Sequence, residues 1–181
     1  MTIWNDLPAM RQTKAGMKDL FGISNVFDTP KPPALIERLM DLVGIEGGDI
    51  VLDFFSGSAS SAHACMERNS TRSLFAKWIL VQIPEFVGED SEAAHLGFST
   101  LCDIGEERIR RAGEKIRTEV EEANRQLALG VEPKSVPDIG FRVLRIDSSN
   151  MKDTRATPEE TSQAMLFDAA DNVKEGRTAE D

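Results

Sequence analysis

At 181 residues and about 20 kDa, with 40% hydrophobic and 29% charged side chains, the chain can build one domain with a real core but not two. Its 21 bases against 31 acids leave a formal charge of −10, which argues against a free-standing phosphate-binding surface of clustered Lys and Arg. The segment 153–181 holds eight acids and three bases, half of that net charge, and the chain has no tyrosine.

Residues 1–28 show no sustained apolar period and read as an irregular N-terminal arm, with Trp4 and Phe21 as its packing residues. Pro30, Pro32 and Pro33 forbid a helix before about residue 33. Leu35, Ile36, Leu39, Met40 and Val43 then recur at helical spacing up to Gly44, predicting a helix over 34–43. Gly47-Gly48-Asp49 turns the chain into Ile50-Val51-Leu52-Asp53-Phe54-Phe55, the short apolar run of a buried parallel strand. The turn Ser56-Gly57-Ser58-Ala59 leads to a helix over 60–68, and a second strand spans 76–83, closed by Pro84. Together these make one βαβ unit. After a loop over 86–98, Ile109, Ala112, Ile116, Val120, Ala123 and Leu127 step by 3, 4, 4, 3 and 4, the buried stripe of a long helix over 100–129. Glu106, Glu107, Arg108, Arg110 and Arg111 read as its solvated face. Residues 140–147 alternate polar and apolar, predicting a strand with one wet side. From Ser148 hydrophobicity falls, apart from Met165, Leu166 and Phe167, and 151–181 reads as an acidic, loosely held tail.

Cys65 and Cys102 lack a CxxC partner, so free thiols in a reducing compartment are expected, and no zinc or other metal site. The start MTIWNDLPAMRQTK lacks the build of a signal peptide, and no apolar run approaches the roughly 20 residues that span a bilayer. A cytoplasmic chain without membrane contact is the expectation, and Asn69-Ser70-Thr71 is then a chance glycosylation triplet. His63 and His95 form no ligand pattern, and His63 reads as a helix residue packed near a turn. Ser60 and Ser61 have no His-Asp pattern beside them, which disfavours nucleophilic catalysis.

The strongest local signal is Asp53-Phe54-Phe55-Ser56-Gly57-Ser58-Ala59 at a strand-to-helix junction. Small residues there let a ligand approach the backbone and the helix start, while the acid at the strand end can orient it. Four stretches in order carry a more specific signal: Phe27-Asp28-Thr29-Pro30-Lys31-Pro32; Val51 to Ser58 with Ala62-His63-Ala64; Ile79 to Glu85; and Phe141 to Asn150. The run Ile104 to Ala112 adds to them. This order resembles the C-terminal, cofactor-binding half of a β-class DNA adenine-N6 methyltransferase, of the kind found as modification subunits of type III restriction-modification systems. The resemblance covers most of residues 3–152.

It implies a partial Rossmann-like α/β fold, a mainly parallel sheet flanked by helices, in which 29–150 form the cofactor-binding half-domain. It also implies that the Thr-Pro-Lys-Pro segment and the Asp-Phe-Phe loop hold S-adenosylmethionine. Thr29 and Lys31, followed by Pro32, would face the methionine carboxylate. Phe54, Phe55, Ser56, Gly57, Ser58 and Ala59 would pass under the cofactor, and Asp53 would reach its ammonium group. Gln82 or Glu85 would bond the ribose hydroxyls; the sequence leaves both open.

Two departures qualify the resemblance. The family loop ends Gly-x-Gly-Thr-Thr, whereas this one reads Gly57-Ser58-Ala59-Ser60-Ser61, so Ala59 is expected to bring backbone strain or a methyl clash and to weaken binding. The amino-methylating motif Asp-Pro-Pro-Tyr has no counterpart, because the only Pro-Pro pair is flanked by Lys31 and Ala34. No catalytic residue is therefore assigned. The expected function is a methyltransferase fragment, inactive alone, that meets DNA only within the whole enzyme, beside a restriction subunit or as a homodimer. The alternative is a non-catalytic interaction module that no longer binds cofactor; a nucleotide-binding dehydrogenase is disfavoured because GxGxxG is missing. Strands near 50–55, 77–83 and 141–146 should share a sheet, with an exposed edge or apolar patch where the catalytic half docks and a pocket at the end of the first strand.

Overall fold

The computed structural model describes Trp4 and residues 7–152 and 173–177. The chain divides into two units, residues 1–140 and 141–181.

The N-terminal arm is not irregular. Met10–Phe21 forms helix α1, closed by Gly22 at φ 81°. Thr13, Met17 and Phe21 are buried at four-residue steps, a stripe broken by Lys14, Gly16 and Lys18 and too short to register as a period. Met17 and Phe21 join Val26, Ala93 and Ile104 in one apolar cluster, with the Phe98 ring edge-on to Phe21 at 6.0 Å.

Helix α2 spans Pro33–Val43, with proline at its first position and Gly44 in the left-handed conformation after its end. Strand β1 is Ile50–Asp53, helix α3 Ser60–Arg72 and strand β2 Lys77–Leu80. The two strands run parallel, Ile50 opposite Lys77 and Asp53 opposite Leu80, so the expected βαβ unit is present with shorter strands. The buried Asn69 fixes the return from α3 to β2: its amide donates to the Ala76 carbonyl at 2.9 Å and accepts from the Ala76 N–H at 3.2 Å. The expected loop over 86–98 contains one short helix, α4, Glu92–His95.

Helix α5 is Leu101–Arg125. Thr100 and Asp103 cap it reciprocally, with Thr100 Oγ1 accepting from Asp103 N at 3.3 Å and Asp103 Oδ2 from Thr100 N at 2.7 Å. Its stripe is buried from Ile104 through Ile109, Ala112 and Ile116 to Val120 and then runs out, so the helix stops short of the expected 129.

Helix α3 is the centre of this unit. Small side chains let it pack against α2, α5 and the sheet at once, and Ala62, Ala64, Cys65 and Met66 are fully buried. Val51 and Trp78 turn towards it, alongside Met40 of α2. On the other face of the sheet Ile50, Leu52 and Ile79 are each about half exposed, with no covering layer among the described residues of this unit. This is the expected apolar patch, although it is a sheet face rather than only an edge.

The strand expected over 140–147 does not form, and these residues fall in the second unit except for Gly140. Alternation selects residues that suit a strand, but a strand forms only where it is paired, and Leu144 and Ile146 remain exposed. In this unit Met151 bridges Val173 antiparallel. Arg177 donates to Asp147 at 2.8 Å and to the Asn150 amide oxygen at 2.8 Å. Part of the expected loose tail is therefore clipped back; Met165, Leu166 and Phe167 lie outside the described residues.

Candidate functional site

The β1–α3 junction begins at Asp53, whose Oδ1 accepts from the Phe55 N–H at 3.1 Å and whose Oδ2 accepts from the Ser61 hydroxyl at 2.5 Å. The carboxylate thus ties the strand end to both the turn and the first turn of α3. The turn is also pinned from β2, where Val81 N donates to Asp53 O at 2.8 Å and Ser56 N to Val81 O at 3.3 Å. Phe54 and Phe55 point out into solvent, Phe55 with 86% of its surface exposed, so the end of β1 opens as a shelf rather than a walled cavity.

Gly57 sits at φ 50°, and a Cβ there would lie 3.1 Å from Cζ of Phe27. Glycine is needed twice over, for the left-handed backbone and for the approach of the ring. Gln82 Oε1 accepts from Gly57 N at 2.7 Å, while Gln82 Nε2 donates to Ile83 O at 3.0 Å. Ser60 Oγ donates to the Lys31 carbonyl at 3.0 Å, fastening the Thr29–Pro32 segment to the start of α3. Three stretches that the sequence assigned to one site, around 27–32, 53–60 and 82, are in contact. Thr29, Lys31 and Glu85 carry exposed side chains.

Ala59 adopts φ 59°, ψ 37°, as the strain argument expects. The expected methyl clash with a ligand is not where the methyl points: it is buried, and a Cβ on Gly105 of α5 would sit 3.5 Å from it. The methyl therefore faces α5.

Sequence reasoning misassigned Arg108. It is not on the solvated face; only 2% of it is exposed, and its Nη1 donates to Ser58 Oγ at 2.8 Å, Ser60 Oγ at 2.8 Å and Ser58 O at 3.3 Å. Burial, partly offset by Glu67, lowers its pKa to about 10, so it stays charged at neutral pH. The signal was present: 108 lies four residues from both Ile104 and Ala112, on the buried stripe. Arg111 also leaves the solvated face, donating to Leu20 O at 2.9 Å with its guanidinium 4.9 Å from the Phe21 ring centre. Arg110, by contrast, pairs with Glu106 and Glu107 on the surface.

His63 is buried on α3 as expected. Both cysteines are free thiols, and burial raises Cys65 to about 11. Among the described residues no group of His, Cys, Asp and Glu is placed to hold a metal ion, and no helix is long and apolar enough to cross a membrane.

Two parallel strands joined through α3, with a small-residue turn between β1 and α3, make an α/β unit. The DNA methylase family model matches residues 1–114, and the chain belongs to this N6/N4 DNA methylase family. It is 37% identical over 142 residues to the type III restriction-modification enzyme StyLTI Mod subunit of Salmonella typhimurium, covering 78% of this chain and 20% of that protein. It is 34% identical over 102 residues to the EcoP15I Mod subunit of Escherichia coli, covering 56% of this chain and 16% of that subunit. With the type II methyltransferase M.KpnI of Klebsiella pneumoniae it shares 32% identity over 104 residues, 57% of this chain and 24% of that enzyme. The chain thus spans about a fifth of the length of the curated relatives it matches.

Proposed function

We propose that these residues form the S-adenosylmethionine-holding part of an adenine-N6 DNA methyltransferase of the type III modification kind, in a partial Rossmann-like arrangement. The observation that carries this reading is the convergence of the Thr29–Pro32 segment and Gln82 on the β1–α3 turn. The residues fit the cofactor. Lys31 is an exposed cation and Thr29 an exposed hydroxyl beside the start of α3, where a carboxylate is favoured. Asp53 can take the ammonium group on lone pairs its two internal bonds leave open. Glu85 suits the ribose hydroxyls better than Gln82, because both ends of the Gln82 amide are occupied in holding the turn. When bound, the cofactor supplies an electrophilic methyl group; Lys31, Thr29, Asp53 and Glu85 bind and orient it.

The group that presents the adenine amine, with the DNA-reading surface, comes from residues other than these 181. The bare face of Ile50, Leu52 and Ile79 supports this, since parallel sheets are ordinarily covered on both faces. DNA and a restriction subunit are then partners of the whole enzyme in the cytoplasm. The same bare face also favours a second reading, an interaction module without cofactor.

Calorimetric titration with S-adenosylmethionine separates the two. We expect measurable binding, about tenfold weaker in Lys31→Ala from loss of one charge-assisted contact, and no methyl transfer to DNA. Absence of heat in the wild-type chain selects the interaction module, and methylation by the purified chain refutes the division of labour.

A further inference from the structure

Next to Pro32 and Arg108, helices α1, α2, α3 and α5 border an open depression of about 250 Å³. Glu37 of α2, His63 and Glu67 of α3, and Arg108 and Lys115 of α5 line it, while α1 contributes the uncharged Gln12 and Thr13. The His63 side chain is only 8% exposed, yet neither ring nitrogen makes a well-aligned hydrogen bond among the described residues, although Nε2 lies 3.1 Å from Glu67 Oε1. The Glu37 and Glu67 carboxyls line the same depression, close enough that each perturbs the acidity of the other, and a proton held between them would let them bond. One turn further along α2, Asp41 pairs with Arg68 and with Arg72 of α3. The α2–α3 seam is therefore closed at one end by opposite charges, while at the other it brings two carboxyls together beside His63.

We propose that Glu37, Glu67 and His63 form a proton-dependent latch at the start of α2, closed while the two carboxyls share a proton and loosened when that proton leaves. The step breaks one O–H bond and passes the proton to water through the open depression; no other bond changes. Burial, then the charge and hydrogen bond of Glu67, raise Glu37 from the usual 4.5 to about 7, against the opposing pull of Arg68 and with a further push from Asp41. Burial acts to raise Glu67 too, but the imidazole of His63 beside it, the Glu37 carboxyl and Lys115 outweigh it, so Glu67 stays below its ordinary range. The shared proton therefore belongs to Glu37. A raised carboxyl holds its proton in the closed state and sheds it on opening, so the latch is complete below about pH 4.5 and is lost as pH rises through about 7. Pro33, the first residue of α2, directly follows the Thr29–Pro32 segment, so a loosened latch leaves that segment held mainly by the Ser60–Lys31 bond. The consequence for cofactor binding rests on the function proposed above; the latch does not.

Hydrogen exchange of the 181-residue chain at pH 6 and pH 8, corrected for intrinsic rates, tests it. Displacement of one proton-binding group from 4.5 to about 7 predicts about a tenfold loss of protection at the start of α2 between those two pH values. Glu37→Gln keeps a donor towards Glu67 without titrating, and should show equal protection at both. An unchanged wild type, or a Glu37→Gln chain that keeps the loss, overturns the latch. Carbon-13 titration of the wild-type glutamate carboxyls provides a check independent of the variant: one should titrate near 7, and none doing so overturns the proposal. Cofactor titration at the same two pH values should show about tenfold weaker binding at pH 8. Failure to bind at either pH counts against the cofactor reading, and exchange still decides the latch.

Discussion

Replacing Ala59 by glycine separates two consequences of its left-handed backbone that the sequence alone leaves entangled. At φ 59° an L-residue carries roughly 1–2 kcal/mol of strain, which glycine removes. Against this stand a buried methyl, worth about 0.8 kcal/mol, and the added freedom of glycine in the unfolded chain, about 0.4–1 kcal/mol. The opposing contributions nearly cancel, and the net change should stay within about 1 kcal/mol. In urea denaturation, with a slope of about 2 kcal/mol per molar, the midpoint should move by less than about 0.5 M. Because the methyl faces Gly105, cofactor affinity should stay within about twofold of wild type, a difference of about 0.4 kcal/mol. Calorimetry on both chains measures it. A tenfold gain in affinity would show that the methyl intrudes on the ligand and would refute the placement of this side chain.

Gly57→Ala should act in the opposite sense. Left-handed strain and a 3.1 Å approach to Phe27 should cost about 1–2 kcal/mol in urea denaturation, and a silent substitution would mean that the turn can flip its backbone. Asn69→Ala removes both bonds that close the α3–β2 return and should cost about 2–3 kcal/mol; a loss below about 0.5 kcal/mol would mean that water replaces the amide. Cys65, buried and raised to about 11, should resist a thiol reagent at pH 8 until the chain unfolds, while Cys102 reacts first. Equal rates would contradict the buried seam at Ala76.

The parts of the fold legible in the sequence were those governed by local chemistry. Proline and glycine at 33 and 44 bracket α2, and the stripe from Ile109 to Val120 marks α5. What stayed hidden was set by tertiary partners. Arg108 looks like its exposed neighbours in composition, and only the buried serine hydroxyls of the β1–α3 junction, 48–50 positions away, explain why a charge belongs inside. The three segments of the candidate site could be named because each is a continuous stretch. The direction of the Ala59 methyl could not, because it depends on α5 passing close behind the turn. Strand 140–147 failed for the converse reason: its pattern suits a strand, but pairing is a tertiary event that alternation alone does not specify.

The strands themselves argue that the sheet is built for a second layer. A sheet with one wet face alternates apolar and polar residues, whereas Ile50-Val51-Leu52 and Trp78-Ile79-Leu80 are apolar on both faces. On one side Val51 and Trp78 meet α2 and α3, which accounts for half of that apolar content. Ile50, Leu52 and Ile79 on the other side meet nothing comparable among the described residues. Two strands alone are marginal, and here the internal bonds of the turn, Gln82 to Gly57 and Arg108 to Ser58, hold the site in shape from the α3 and α5 side. The candidate cofactor shelf is thus organised by residues within the chain, while the opposite sheet face is left for what covers it. A self-supported shelf beside an uncovered face supports the reading proposed above, in which further residues complete the sheet.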